Sequence, residues 1–167
     1  MANLNGVPIS ELLKHYTFDP NSFERISHRK TPPVLEIVDP DPTWPDSYDL
    51  FASRITTALG PSGTNSLLSV SHVGSTSVPS LPAKAIIDID VVVHDVGDES
   101  SYVSALESQN FQFLLREKWH GHRFFVAEEP MSVHVHVWGP QCAEAERHRV
   151  FRDYLRGNAA DREEYAR

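Results

Sequence analysis

The run Ala85-Ile86-Ile87-Asp88-Ile89-Asp90-Val91-Val92-Val93 admits few folds. Its aliphatic residues ask for burial on both faces, as in an internal strand with helices over the sheet, yet two carboxylates stand two residues apart and project from one face. Like charges on a buried face are costly unless a cation stands between them. A hard divalent ion, which takes carboxylate oxygen and leaves positions for substrate phosphates, is the simplest partner; a solvated edge-strand face is the plain alternative. Upstream, Ser66 to Val73 reads as a second strand that stops at Gly74 within His72-Val73-Gly74-Ser75-Thr76-Ser77-Val78-Pro79. A backbone without Cβ turns tightly there and lets a ligand approach, so the turn is a candidate phosphate cradle, with an ordinary loop as the alternative.

His134-Val135-His136 is the next constellation. On a strand the two imidazoles share one face, and Val133, Val135 and Val137 pack on the other. The histidines point to something polar or to solvent. His120 and His122 lie nearby in Trp119-His120-Gly121-His122-Arg123, but four histidines at these spacings match no structural zinc module, which makes zinc the less favoured metal. Arg123 suits a phosphate or carboxylate through its planar fork, and Lys84 suits the same role as a point charge; either is equally a structural partner of the aspartates. Arg147, Arg149, Arg152 and Arg156 fall on one helical segment, most of them as surface charge; one turned to a cleft to neutralise a triphosphate tail is the alternative.

The remaining elements follow from periodicity. Val34–Val38 reads as a strand, and a helix from about Pro45 to Gly60 carries the stripe Tyr48, Phe51, Ile55 and Leu59. A helix from Asp98, as its cap, to Gln109 precedes strands at 111–116, 122–127 and 132–138; helices at 143–156 and 159–167 close the chain. Residues 1–33 stand apart as an N-terminal extension with a short helix over Ile9–His15 capped by Ser10, and Thr31-Pro32-Pro33 ends it. Strands alternating with helices imply one α/β domain over 34–167, a mixed sheet flanked by helices. Of the 23 acidic and 15 basic residues, 14 acidic and 6 basic fall in 1–110, a balance that disfavours an extended nucleic acid as partner. One cysteine and no long apolar stretch lead to the expectation of a cytoplasmic protein without membrane association. There is no Walker A loop, and Ser75 and Ser77 lack a nucleophile-elbow context.

Gly74-Ser75 followed by Asp88-Ile89-Asp90 is similar to the signature of the nucleotidyltransferase superfamily, the polymerase-beta-like fold. More closely, His72 to Lys84 with Ile86-Ile87-Asp88-Ile89, then Gly121-His122-Arg123-Phe124-Phe125, His134-Val135-His136 and Phe151-Arg152-Asp153-Tyr154-Leu155-Arg156, resemble the GrpB family from near Ile37 to the C-terminus. The resemblance implies a nucleotidyltransferase-like fold, sometimes fused to dephospho-coenzyme A kinase. It leads to the expectation of nucleotidyl transfer from a nucleoside triphosphate to a small acceptor, with Mg²⁺ or Mn²⁺ as cofactor. Asp88, Asp90 and His136 would hold the metal and carry catalysis, His136 standing where the superfamily usually has a third acid. His72, Gly74, Ser75, Thr76, Ser77, Lys84, Arg123 and His134 would hold the nucleotide. A non-catalytic nucleotide- or metabolite-binding module is the alternative, and a metal-dependent hydrolase the third reading.

Overall fold

The computed structural model describes residues 2–167. In chain order its elements are β1 (Asn3–Leu4), β2 (Val7–Pro8), α1 (Ile9–Leu12), β3 (Phe23–Arg25), β4 (Ile37–Val38), α2 (Trp44–Leu59), β5 (Leu67–Val73), β6 (Ala83–Lys84), β7 (Ile86–Val93), α3 (Val103–Ser108), β8 (Gln112–Glu117), β9 (Arg123–Ala127), β10 (Ser132–Trp138), α4 (Ala143–Gly157) and α5 (Ala159–Tyr165). Six strands form one mixed sheet in the order β3-β8-β9-β10-β7-β5, with β4 and β6 pairing separately. Only β10 and β7 run parallel, in a register that sets His134 beside Asp88 and His136 beside Asp90; the other pairs in this sheet are antiparallel.

That register sorts the side chains. Ile87, Ile89, Val91 and Val93 of β7 join Val133, Val135 and Val137 of β10 on one face, where Phe51, Ile55 and Leu59 of α2 and Leu106 of α3 complete the core. Burial of these aliphatic and aromatic groups, each contributing about 1.5–3 kcal/mol, is the main stabilising term. The alternate residues Asp88, Asp90, His134 and His136 therefore emerge on the opposite face. There α4 covers part of the sheet. Two of its arginines are engaged with backbone: the guanidinium of Arg152 donates to the carbonyl of His72 (3.1 Å), and that of Arg156 to the carbonyl of Ser77 (3.0 and 2.7 Å). These two of the four arginines read as surface charge thus clamp the helix to both ends of the Gly74 turn, while Arg149 stays on the surface with Glu146 and Asp153. Arg147 similarly donates to carbonyls of Glu11 and Leu12, tying α1 to α4.

Several elements depart from the periodicity reading. Only Ile37–Val38 of the expected 34–38 strand pairs, because its partner β6 is two residues long and Val34 and Leu35 are left exposed. The expected 98–109 helix is reduced to α3 after a 3-10 turn at Glu99–Ser101: Ser100 bonds to the Asp98 side chain and Ser101 to its carbonyl, while Tyr102, fully buried with its hydroxyl on the carbonyl of Val96, adopts φ −144° and interrupts the helix. In α1 the cap position is Pro8, not Ser10, and the helix ends at Leu12. Of the expected 1–33 extension, the described residues 2–33 pack on the domain, Phe23–Arg25 supplying the edge strand beside β8. No helix among the described residues is long and apolar enough to cross a membrane.

The contact between α4 and the polar face of the sheet is electrostatic. His148 of α4 places Nδ1 2.8 Å from Oδ2 of Asp90, which is 2% exposed, and Nε2 3.5 Å from Glu144. Burial disfavours the imidazolium, but its hydrogen bonds to Asp90 and Glu144 outweigh burial and raise the His148 pKa to about 10. The stabilisation this group supplies is fully present below pH 6.5 and is lost as pH rises toward about 10. His148→Ala should cost about 3 kcal/mol at neutral pH, since it strands a buried carboxylate. In urea unfolding across this range, the wild type should lose stability toward alkaline pH, and the variant should show a flatter profile; parallel profiles would sink the assignment.

Candidate functional site

The site lies where the chain leaves β5, turns, and re-enters the sheet as β7. Gly74 has φ 72° and ψ −176°, a region in which only glycine rests without strain, and a Cβ there would stand 2.5 Å from Oδ2 of Asp88. The turn and the carboxylate are therefore packed directly together. Side-chain hydrogen bonds hold the turn: Ser77 Oγ donates to the Gly74 carbonyl (2.5 Å), Thr76 Oγ1 donates to the carbonyl of Ile86 (3.0 Å), Thr76 Oγ1 also bonds to His72 Nε2 (3.0 Å), and Arg156 grips the Ser77 carbonyl from α4. His72 itself stacks on Tyr48 of α2, ring centroids 4.8 Å apart, on the core side of the sheet. Burial, with help from Arg156, lowers its pKa to about 4, so it is a neutral brace under the turn and does not face the cleft.

A cleft of about 540 Å³ opens in front of the turn, lined by Ser75, Thr76, Lys84, Asp88 and His134, with Leu35, Ile37, Ile86 and Tyr165 forming an apolar wall. Of the residues expected at the site, these polar five converge. Lys84 makes no ion pair among the described residues, leaving its ammonium available to an anion. His136 lies one step deeper, its Nε2 3.6 Å from Oδ1 of Asp88, and His134 Nδ1 is 3.4 Å from the same oxygen. Burial raises the Asp88 pKa, but the two imidazoles outweigh it and bring the carboxyl down to about 2, so Asp88 is a fixed anion.

The other expected residues are not brought to the cleft. The carboxylate of Asp90 is consumed: Oδ1 accepts the indole N–H of Trp138 at 2.9 Å and Oδ2 faces His148. Alternation on β7 places both aspartates on one face as expected, but α4 covers one and leaves the other at the cleft. Arg123 pairs in register with Val137, a core residue, and so lies on the opposite face, where it bonds to Glu99 (2.8 Å) and the carbonyl of Gly121. Ser77 spends its hydroxyl within the turn. His120 packs beside Tyr16 and Trp119. Among the described residues no three His, Cys, Asp or Glu side chains form a ready metal-ligand group.

Residues that periodicity did not single out complete the surroundings. Arg29, from the N-terminal segment, places Nη2 3.0 Å from Nε2 of His134. Glu117, at the end of β8, bonds to Nδ1 of His122 at 3.1 Å, and His122 Nε2 bonds to His136 Nδ1 at 2.9 Å. His122 is 6% exposed, and burial lowers its pKa. Phe124, in register with His136, lies against both His134 and His136. No local pattern announces Arg29, whereas His122 belonged to a visible histidine cluster whose meaning depends on the sheet.

Comparison with known proteins agrees with this architecture. The family model described as "GrpB protein" matches residues 34–167. A UPF0157 protein of Halalkalibacterium halodurans is 43% identical over 134 residues, 80% of this chain and 66% of that protein. One from Streptomyces coelicolor is 40% identical over 136 residues, 80% of this chain and 69% of that protein. The crystal structure of a conserved protein GrpB from Enterococcus faecalis superposes with a TM-score of 0.67 at 28% identity, covering 78% of each chain. The chain thus spans about two thirds of the length of these curated relatives. With the motifs around Gly74, Asp88 and His136 falling inside the matched segment, the chain belongs to the GrpB family.

Proposed function

We propose that the protein binds a nucleoside triphosphate with a divalent cation in the Asp88 cleft and transfers its nucleotidyl group to a small acceptor. The observation that carries this reading is the packing of the Gly74–Ser75 turn against Asp88, with Lys84 in the same cleft. In this reading phosphate and metal would lie side by side. The backbone at Gly74 and Ser75 would meet phosphate oxygens, Lys84 would neutralise them as a point charge, and Leu35, Ile37 and Tyr165 offer an apolar wall to a base. Asp88 and Nε2 of His136 fit a divalent ion: two ligands each about 2.1 Å from one ion span roughly 3 to 3.6 Å, and theirs are 3.6 Å apart. Substrate phosphates and water would complete the shell, as is usual for Mg²⁺ and Mn²⁺. The cation would supply charge neutralisation at phosphorus, which dominates phosphoryl chemistry.

A second reading has an observation of its own. Because Asp90 is tied to Trp138 and His148, one carboxylate faces the cleft where two-metal transfer calls for more, which favours a binding module over an enzyme. Pyrophosphate release with Mn²⁺ or Mg²⁺ across a panel of triphosphates and acceptors separates them: turnover supports transfer, and binding without turnover supports the module. With a nucleotide at a hundredfold excess over its Kd, thermal unfolding should shift by about 2.7 kcal/mol, or roughly 6–10 °C for a chain of this size. Asp88→Asn should remove the metal-dependent part. Absence of any shift with every triphosphate and Mn²⁺ would defeat both readings.

The turn gives a sharper test. Gly74→Ala introduces strain of about 1–3 kcal/mol at a conformation reserved for glycine and pushes on the Asp88 carboxylate. The folded variant should lose nucleotide protection by at least tenfold in affinity, measured by calorimetry; unchanged affinity would show that the turn does not meet the ligand.

A further inference from the structure

We propose that Tyr165, held in place by Phe151, is the residue on which the nucleobase stacks, and that the site therefore prefers purines to pyrimidines by ring area without reading the groups at the edge of the base. This rests on the nucleotide reading above and adds to it the class of base.

The small sheet sets the apolar wall beside the cation. Ile37 stands directly opposite Lys84 in the antiparallel pairing of β4 with β6, and side chains so paired share one face. A ligand that sets its anionic part against the Lys84 ammonium thus has apolar surface next to it, with Leu35 and Tyr165 lining the same cleft. Leu35, Ile37 and Tyr165 are 61%, 59% and 52% exposed, so no side chain of the protein covers this wall. A cation adjoining open apolar surface fits a ligand with an anionic end and a flat apolar body. Tyr165 supplies the flat partner. Phe151 of α4 meets its ring with centroids 5.3 Å apart and planes at 70°, an edge-on arrangement that aromatic quadrupoles favour and that directs the ring while half of it stays open. Its helix is anchored as well. Arg162 Nη1 donates to the carbonyl of Leu155 (3.0 Å) and Asn158 Nδ2 to that of Tyr154 (2.8 Å), fastening α5 to α4, which Arg156 in turn clamps to Ser77. The platform and the Gly74 turn are therefore braced through one helix, and a fixed ring receives a base at little ordering cost. Around the ring, Leu35, Ile37 and Ile86 carry no side-chain donor or acceptor, and Arg167 is paired with Glu164 at 3.3 Å in solvent. Strong discrimination between groups at a base edge needs polar partners built to meet them. Stacking needs only a π-face, which every base has, and it grows with the area covered, so the fused rings of a purine gain most.

Calorimetry on the full chain with Mn²⁺ tests this. ATP and GTP should bind alike, CTP and UTP roughly fivefold more weakly, and inorganic triphosphate, which has no base, roughly thirtyfold more weakly. Tyr165→Leu, which keeps apolar bulk and removes the ring, should lower ATP affinity by roughly tenfold and leave inorganic triphosphate unchanged, while Tyr165→Phe should bind ATP as the wild type does. Phe151→Ala, which frees the ring without removing it, should cost ATP roughly threefold. A spectroscopic signature separates stacking from a structural role: the fluorescence of 2-aminopurine riboside triphosphate should be quenched on binding to the wild type and to Tyr165→Phe, and should recover on binding to Tyr165→Leu. Wild-type affinity for ATP equal to that for CTP or for inorganic triphosphate, ATP and GTP affinities differing by more than about tenfold, or unchanged ATP affinity in Tyr165→Leu overturns this inference and leaves the phosphate half of the nucleotide reading intact. Wild-type protein that binds none of these triphosphates overturns both.

Discussion

The pairing of β7 with β10, the one parallel junction in the six-stranded sheet, is the constraint on which the rest depends. Its register sets Asp88 against His134 and Asp90 against His136, and the aliphatic alternates against one another. A slip of one residue would turn one strand over against the other, sending two ionisable groups into the core and three or four aliphatics out of it, so burial specifies the register strongly. The same fact makes the polar face possible. The aliphatic side supplies the stabilisation, and the other side is free to carry groups that a core would reject.

From that face two aspartates acquire different fates through what lies over them. Asp90 falls under α4, receives the indole of Trp138 and the imidazolium of His148, and becomes the polar link between helix and sheet. Asp88 falls beside the Gly74 turn, where α4 contributes no charged partner, and keeps an anionic oxygen at the cleft. The turn itself is fixed from several sides, by His72 and Thr76 beneath and by Arg152 and Arg156 above. Such bracing costs a ligand little ordering when it binds, which is what preorganisation contributes to affinity.

What was legible in the chain was what depends on near neighbours. The alternation in 85–93 and 132–138 placed both strands and both faces, the stripe from Tyr48 to Leu59 placed α2 with Phe51, Ile55 and Leu59 buried, and Gly74 marked a conformation that other residues resist. What escaped was set by tertiary partners. Arg123 reads as a ligand for phosphate because its type suits that task, but its position one residue from Phe124 puts it on the core side with Glu99. His72 stands in the most distinctive motif, and its register opposite the core residue Ile89 turns it toward Tyr48. The arginines of α4 read as solvent charge because their spacing is helical, while the carbonyls they reach lie some eighty residues away. Periodicity gives the face of an element; it does not tell what covers that face.

The N-terminal segment sharpens this point. Its sequence has few apolar residues in a regular period, and yet Phe23–Arg25 extends the sheet and Arg29 reaches His134, so that the segment both protects an edge strand of the domain and tunes its polar face. An open edge at β8 would present unpaired backbone groups, and covering it with three residues is a modest solution to a general liability of sheets. Because Arg29 follows that strand by only four residues, the edge pairing also determines where the guanidinium arrives. The chain that closes the sheet at one side thereby sets a guanidinium against a histidine three strands away, so that an element outside the matched family segment reaches the polar face beside Asp88.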